Sequence, residues 1–431
     1  MHRPGESRHG ISRGSTTIAA FSTIVEWYDF TLYLYFSTVL ARVFFGNGPA
    51  SLATALAGFA VAYLMRPLGA VFFGHIGDRY GRRHMLLLSV ALITIATLLT
   101  ALLPTHAQAG SAAGWMLLLL RCVMGFAVGG EYSGVVAYLL EGASPRRRGL
   151  ITSSAAAASE VGALLAVGAS ALTVNMVDPA ELESWGWRIP FLVGTALATS
   201  VWIARTVMQE SPDFERQRDG GTIPSSPLRH TLARHRVGIA RSFAISALGS
   251  ITYYVGITYI PAFLASIGKI DESSSLWLAT IAAVAVILVT PLFGALSDRL
   301  GRKPVLLALC GCSAILPATM FSLMSGGSST LALSGAIVLA CVAGGVSAVG
   351  AAATAEQFPG EGRVSGLALG ATGATVIFGG LTPYVAQRLL EYSGVAIIPG
   401  VMIAAVALAV LPILLLMPET APGRRGGRSP R

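Results

Sequence analysis

The chain contains one charged segment twice, as Gly74-His-Ile-Gly-Asp-Arg-Tyr-Gly-Arg-Arg83 and again as Gly294-Ala-Leu-Ser-Asp-Arg-Leu-Gly-Arg-Lys303. Each copy follows one long apolar run and precedes the next, and the two copies lie about half the chain length apart. This spacing indicates two copies of one membrane unit, each with a short charged loop between its second and third hydrophobic helices. Such paired units are typical of transporters whose halves rock against each other.

The composition favours a membrane protein. Hydrophobic residues make up 54% of the chain and charged residues only 12%, with a mean hydropathy of +0.67, whereas a soluble protein has about 25% charged residues. Twelve apolar runs are long enough to cross ~30 Å of hydrocarbon, and backbone groups in lipid must be satisfied internally, so we expect twelve helices. These spans 1 to 12 are predicted near 17–44, 51–74, 84–103, 113–140, 149–174, 187–207, 239–266, 274–297, 303–324, 330–354, 364–388 and 395–417.

The spans divide the chain into five parts. We predict an N-terminal tail at 1–16, a six-helix bundle at 17–207, a linker at 208–238, a second bundle at 239–418 and a basic tail at 419–431. The linker combines prolines with several arginines, so we expect a flexible segment with an amphipathic turn on the lipid surface. No soluble part is large enough for an enzyme, and no nucleotide-binding fingerprint occurs, which argues against ATP-driven transport.

The basic residues are distributed unequally between the loops. Most of the 30 Lys and Arg residues lie on the same side as the N-terminus, and the positive-inside rule then places both termini in the cytoplasm. Membrane insertion explains the net charge of +9 without a nucleic-acid partner. The four cysteines lie in apolar runs without His or acidic neighbours, so we predict neither a metal site nor a cofactor.

The repeat extends beyond the charged loops. Glu141 and Arg148 are seven residues apart between spans 4 and 5, and Glu356 and Arg363 have the same spacing between spans 10 and 11. We predict that these residues and the two loops form a cytoplasmic latch between two conformations. The alternative is that the arginines only obey the positive-inside rule.

In each loop the aspartate can accept hydrogen bonds from a neighbouring helix N-terminus and from Arg148 or Arg363, while a glycine permits the tight turn. The predicted latch residues are Asp78, Arg79, Gly81, Arg82, Glu141, Arg148, Asp298, Arg299, Gly301, Arg302, Glu356 and Arg363.

Further motifs accompany the two loops. They are Glu26-Trp-Tyr-Asp-Phe30 in span 1, Arg66-Pro-Leu-Gly69 in span 2, Arg121-Cys-Val-Met-Gly-Phe-Ala-Val-Gly-Gly-Glu-Tyr-Ser-Gly134 in span 4, Trp185-Gly-Trp-Arg-Ile-Pro-Phe191 at span 6 and Glu210-Ser-Pro212 after it. With these motifs the chain resembles the major facilitator superfamily, and within it the metabolite:proton symporters of proline/betaine, α-ketoglutarate, citrate and shikimate. The resemblance covers about 21–418. It implies an all-α membrane protein with the major facilitator fold, twelve transmembrane helices in two six-helix halves.

Two features depart from this family pattern. Span 5 begins Ser153-Ser-Ala-Ala-Ala-Ala-Ser159 where relatives often have aromatic residues or glutamine. The chain also ends in a short basic tail, where the osmosensing proline/betaine type has a long coiled coil. The resemblance therefore does not identify the substrate.

Charged residues inside the predicted spans are functional candidates, because a charge in lipid is costly. The acidic ones are Glu26 and Asp29, which share a face of span 1, Glu131 in span 4 and Glu160 in span 5. A desolvated carboxylate suits a proton carrier, and we predict Asp29 or Glu131 in this role, with Glu26 and Glu160 as further candidates. The alternative is a permanent ion pair with Arg66 or Arg121 that holds helices together.

Arg121 is the predicted substrate anchor, because its guanidinium can form a two-pronged bond to a carboxylate, and Arg66 is a second candidate. A structural bond from Arg121 to Asp29 is an equally good interpretation. Three tyrosines of span 7 can line the cavity and contact a quaternary ammonium group, or can simply pack. They are Tyr253, Tyr254 and Tyr259.

These features predict proton-coupled uptake of a small carboxylate-bearing metabolite across a bacterial inner membrane by alternating access. The metabolite would be an organic acid such as α-ketoglutarate or citrate, or proline or betaine. We expect a monomer in the lipid bilayer whose other partners are substrate and protons. Proton-driven efflux of a siderophore or drug-like compound is the alternative, followed by a transporter-like solute sensor.

Overall fold

The computed structural model describes residues 12–46, 51–223, 226–266 and 272–422, and within these ranges it is helical with no strand. Nine of the described helices are long and apolar enough to cross a membrane. The other three spans, 1, 2 and 7, consist of shorter or more polar helical pieces joined end to end. The twelve helical spans have the arrangement of the major facilitator fold.

The spans have the following bounds. In the first half they are Arg13–Tyr35 with Ser37–Phe45, Ser51–Leu64 with Arg66–Tyr80, Arg82–Ala101, Ser111–Gly142, Arg148–Met176 and Arg188–Thr206. In the second half, span 7 is Arg236–Tyr253 with Tyr254–Thr258 and Ile260–Ser266, and spans 8, 9, 10 and 12 are Glu272–Leu300, Arg302–Met324, Ser329–Ala355 and Ile398–Leu416. Span 11 has five consecutive pieces, Arg363–Leu367, Ala368–Thr372, Gly373–Thr375, Val376–Gly380 and Thr382–Ser393. Most of the predicted tails, residues 1–11 and 423–431, lie outside the described residues.

The two charged segments are almost entirely helical, which corrects the predicted loops. Span 2 continues to Tyr80, and span 3 begins at Arg82. Only Gly81, at φ +110°, breaks the helix, and Gly301 at φ +106° does the same in the second half. Side chains rarely adopt such angles, so glycine is required at both turns. We call the end of the bundle that contains Gly81 and Gly301 the basic end.

The segment between the halves is also more ordered than its composition suggests. Instead of a flexible surface segment, it forms the helices Pro212–Asp219 and Pro227–Arg234. Ser211 caps the first helix by accepting the N–H of Phe214 at 3.1 Å. The Phe214 side chain is buried, and the Arg82 Cζ lies 5.6 Å from the centre of its ring. The linker therefore packs against the bundle at the basic end.

The halves meet where span 5 packs on span 8 and span 2 packs on span 11. Within the first half, spans 2 and 4 lie in backbone contact. A side chain at Gly69, Gly125 or Gly129 would overlap a backbone carbonyl of the other helix. Small residues allow this approach in membrane helices, and it positions Arg66 at the interface between the halves.

Candidate functional site

Two aspartates join the halves at the basic end. Asp78 of span 2 accepts the backbone N–H of Ser365, in the first turn of span 11, at 2.8 Å. Asp298 of span 8 accepts the N–H of Gly149, in the first turn of span 5, at 2.8 Å. Each aspartate thus caps a helix of the opposite half, where the helix dipole favours a negative charge. These contacts close the two halves against each other at this end.

The arginine beside each aspartate belongs to the same charged segment. Arg82 lies 3.3 Å from Asp78, and Arg302 lies 2.8 Å from Asp298. This corrects the sequence expectation, which placed Arg148 or Arg363 there. The i,i+4 spacing across the glycine turn brings each arginine back onto its own aspartate, and both arginines are completely buried.

The same two arginines bind the predicted glutamates. Arg82 contacts Glu141 at 3.0 Å, and Arg302 contacts Glu356 at 3.3 Å. Arg82 also donates to the Gly360 carbonyl of the second half at 2.8 Å. Glu141 and Glu356, the glutamates of the two seven-residue spacings, therefore each bind the arginine of the charged segment in their own half.

The ion-pair network around Arg82 and the one around Arg302 differ in whether a further arginine, Arg363 or its counterpart Arg148, joins them. Arg363 lies 2.7 Å from Glu141 and 2.9 Å from Asp213 of the linker helix. Burial raises the pKa of Asp213, but the adjacent Arg363 outweighs it, so the pKa lies below its ordinary value. Arg148, the counterpart of Arg363, has no ion pair among the described residues, and its Nε is buried without an acceptor. The linker helix thus completes only one of the two networks.

The remaining latch candidates lie at the edge of these networks. The Arg79 guanidinium lies 5.8 Å from the Tyr80 ring centre. Arg299 is exposed at the end of span 8.

Two buried ion pairs lie within the first half. Arg121 Nη1 lies 3.0 Å from Asp29 Oδ2, and Thr97 donates to the same carboxylate at 2.8 Å. Glu131 is paired with Arg205 of span 6. The described residues that line the central cavity include none of these four charged groups. The structure therefore contains the Arg121–Asp29 bond that was the alternative to a substrate anchor.

Arg205 was not singled out in the sequence. It lies in the last turn of span 6 but is completely buried. Its position near the basic end matches the positive-inside rule, which explained its charge without a partner. The signal available was an arginine within a predicted apolar span, which needs a buried acid nearby.

A cavity of about 180 Å³ lies between the halves. Its polar and aromatic lining includes Trp27, Tyr63, Arg66, Tyr132, Ser133, Ser159 and Glu160 from the first half and Ser246, Ser250, Tyr253, Tyr254, Ser347, Thr354, Thr372 and Thr375 from the second. Among the described lining residues, Arg66 is the only cation and Glu160 the only carboxylate. The cavity thus brings together two of the predicted site residues of span 7, Tyr253 and Tyr254. Tyr259 instead donates to Gln387 at 2.6 Å and is not part of the lining.

Three aromatic rings surround the Arg66 guanidinium, and its Nη1 has no hydrogen-bond partner among the described residues. The Arg66 Cζ lies 5.0 Å from the ring centre of Phe30, 5.1 Å from Tyr63 and 6.0 Å from Trp27. Nη2 lies 3.5 Å from Glu26 Oε1, a long ion pair. Nη1 of Arg66 and Oε2 of Glu26 are both buried and have no hydrogen-bond partner among the described residues. A buried unpaired donor in a cavity is ready to bind an anion.

Glu160 is the second charged residue of the described lining. It is 4% exposed, and no cation of the described chain lies within ion-pairing distance. Its carboxyl group interacts with the Tyr253 side chain of span 7. Span 7 changes to a wide helical turn at Tyr254–Thr258, directly after this tyrosine, and such turns are frequent at functional sites. There Tyr254 shares a hydrogen bond of 2.8 Å with Tyr63 of the first half.

Comparison with known proteins agrees with this architecture. Residues 15–222 match a family model described as sugar (and other) transporter, and residues 242–430 match the major facilitator superfamily model. The glycine betaine/proline/ectoine/pipecolic acid transporter OusA of Dickeya dadantii is 31% identical over 98% of this chain and 86% of its own length. The alpha-ketoglutarate permease of Escherichia coli is 32% identical over 86% of each chain. The citrate-proton symporter of Klebsiella pneumoniae is 32% identical over 91% of this chain and 88% of its own.

Solved structures share the fold. A structure of the proton:xylose symporter XylE bound to 6-bromo-6-deoxy-D-glucose has a TM-score of 0.80 at 18% identity, covering 94% of this chain and 96% of that one. A partially occluded inward open conformation of XylE from E. coli has a TM-score of 0.66 at 18% identity, covering 94% and 98%. These relatives and structures are transporters and not enzymes. The chain therefore belongs to the major facilitator superfamily of membrane transporters.

Proposed function

We propose that this protein is a proton-coupled symporter that takes up a small carboxylate-bearing metabolite across a bacterial inner membrane, with the basic end in the cytoplasm. The observation that carries this proposal is the unpaired Nη1 of Arg66, buried at the central cavity. The relatives named above are transporters of glycine betaine, proline and ectoine, of α-ketoglutarate and of citrate. All of these compounds carry at least one carboxylate, for which a guanidinium is a suitable anchor.

Arg66 is a better anchor than Arg121. The Arg121 guanidinium is occupied by Asp29 and by the Thr100 hydroxyl at 3.2 Å, outside the cavity lining. Arg66 is fixed in direction by the rings around it but has only one long ion pair. A substrate carboxylate can therefore bind Nη1 of Arg66 without first breaking a short buried ion pair.

Glu26 then couples the substrate to the proton. As a carboxylate, Glu26 competes with the substrate for Arg66, whereas protonation removes this competing negative charge. Protonation of Glu26 therefore strengthens substrate binding, and by linkage bound substrate strengthens proton binding. We assign Glu26, which lies beside Arg66, as the coupling acid, and Glu160 of the cavity lining as a second titratable group. Asp29 and Glu131 each have a close arginine partner and act as structural ion pairs in this scheme.

Transport also requires the basic end to open. Asp78 and Asp298 must release their opposite helices, so the latch sets the free-energy difference between the two conformations. A carrier that has bound only substrate or only a proton leaves an unbalanced charge in the cavity. That charge disfavours the switch and prevents leakage.

Transport by purified protein in proteoliposomes tests this function. An inward proton gradient is imposed, and labelled α-ketoglutarate, citrate, shikimate, proline and glycine betaine are offered. We expect accumulation of at least one of them by the parent protein and by Glu181→Gln, an exposed control. We expect Glu26→Gln to retain exchange of internal for external substrate but to lose gradient-driven accumulation. The proposal is overturned if no carboxylate accumulates, and proton-driven export of a larger compound would establish efflux instead.

A further inference from the structure

The charges of the cavity indicate which kind of carboxylate it accepts, an inference that rests on the proposed function. Arg66 provides one positive group, and Glu160 provides one negative group that no cation of the described chain neutralises. A buried carboxylate without a cationic partner is costly, and a ligand that supplies the missing cation reduces that cost. The lining is therefore complementary to a ligand with one charge of each sign.

Aromatic rings connect the two charged groups. The Trp27 ring lies 6.0 Å from the Arg66 guanidinium and 6.1 Å from the Tyr253 ring. Tyr253 in turn interacts with Glu160 and lies 5.3 Å from the Tyr254 ring. Arg66 and Glu160 are thus connected through a row of aromatic rings, Trp27 and Tyr253, that comes from both halves and forms one wall of the cavity. Such a wall attracts a cationic nitrogen through its ring faces.

We propose that the substrate is a zwitterion with one carboxylate and one cationic nitrogen, and that Glu160 determines this specificity. The carboxylate binds Arg66, and the nitrogen lies against Trp27 and Tyr253 and faces Glu160. A dicarboxylate or tricarboxylate is disfavoured, because its second negative charge meets Glu160 and finds no second cation in the described lining.

The test compares each zwitterion with a carboxylate of the same shape that lacks the nitrogen. The pairs are glycine betaine with 3,3-dimethylbutanoate and proline with cyclopentanecarboxylate. Affinities are measured by calorimetry on the purified protein in lipid nanodiscs. We expect the parent protein to bind one zwitterion at least tenfold more tightly than its partner. In Glu160→Gln that ratio falls to near one, while Glu160→Asp, which keeps the charge, and the exposed control Glu181→Gln retain a preference for the zwitterion.

The outcomes separate this inference from the proposed function. Equal affinity for both members of each pair in the parent protein overturns the zwitterion assignment, and an unchanged ratio in Glu160→Gln overturns the role of Glu160 in this specificity. Tighter binding of α-ketoglutarate or citrate than of any zwitterion also overturns the zwitterion assignment. All three of these results leave carboxylate symport intact. If no carboxylate binds and none accumulates under a proton gradient, the proposed function itself is wrong.

Discussion

The Asp78 carboxylate accepts the backbone N–H of Ser365 at 2.8 Å, although the two residues are 287 positions apart. Asp298 and Gly149 repeat this relationship with the halves exchanged. The closed basic end is therefore held by two reciprocal helix caps. The ion pairs around them orient the aspartates, since each aspartate lies beside the buried arginine of its own segment.

Replacing Asp298 with asparagine should weaken this closure. An uncharged amide cannot accept from two successive N–H groups as a carboxylate does, and it loses the attraction to the helix dipole. A lost cap costs about 1–2 kcal/mol, which changes the equilibrium between conformations about 5- to 30-fold. Spin labels at Arg146 and Arg299, both exposed at the basic end, should report a larger population of long distances. The exposed variant Asp219→Asn serves as control, and an unchanged distance distribution in Asp298→Asn would refute the role of the cap.

Gly149→Ala should prevent the basic end from closing. A methyl group there would lie 2.5 Å from the Gly294 carbonyl oxygen and 2.6 Å from Ser297 Oγ, closer than any stable contact. Gly168 lies in the same helix with nothing within 4 Å of an added methyl group, so Gly168→Ala is a matched control. We expect Gly149→Ala to lower the maximal uptake rate strongly and to show the long spin-label distances, while Gly168→Ala transports normally. Normal uptake by both variants would show that the close approach of spans 5 and 8 is not needed.

The pair of Asp29 and Arg121 should contribute mainly to stability. Removing one partner leaves the other charge buried, which costs about 3–5 kcal/mol. Asp29→Asn and Arg121→Gln should therefore each lower the thermal unfolding midpoint in detergent, and the double variant should lose less than the sum.

The exposed pair of Arg42 and Glu183, at 2.6 Å, provides the control cycle for this measurement. Its coupling should be about 0–1 kcal/mol. If Asp29→Asn keeps its unfolding midpoint but loses the pH dependence of uptake, then Asp29 is the group that titrates during transport.

Arg66→Lys should weaken substrate binding while the protein remains folded. Lysine keeps the positive charge but cannot form a two-pronged bond or stack flat against Phe30 and Tyr63. A hydrogen bond to a charged group contributes about 1.5–3 kcal/mol, so we expect KM to rise about tenfold or more. Uptake kinetics measure this change, and Arg218→Lys, on the exposed linker surface, is the control. An unaltered KM would exclude Arg66 as the anchor.

The sequence predicted the features that depend on local spacing. The duplicated segments, the twelve spans and the seven-residue spacing from Glu141 to Arg148 were all visible, because repeats and apolar runs are read along the chain. The pairing of Arg363 with Glu141 across the halves was not, since it depends on how spans 4 and 11 meet. Arg205 and the packed linker helices were missed for a similar reason. The linker has the polar composition of an exposed segment, and Arg205 lies where the positive-inside rule predicts a basic residue. Only tertiary contacts bury Phe214 and the Arg205 guanidinium.

The linker contacts both halves: Asp213 of its first helix pairs with Arg363 of the second half, and its second helix, Pro227–Arg234, packs on span 2 of the first half. Asp213 precedes Gly221, and Thr231, which packs on Gly362 of the second half, follows it. A cut at the exposed Gly221 would remove none of the residues that make these contacts, and the Asp213–Arg363 pair would then join the two fragments. We therefore expect the peptide connection between the halves to be dispensable for their docking, so that two separately synthesised polypeptides, 1–221 and 222–431, co-purify and transport as one protein.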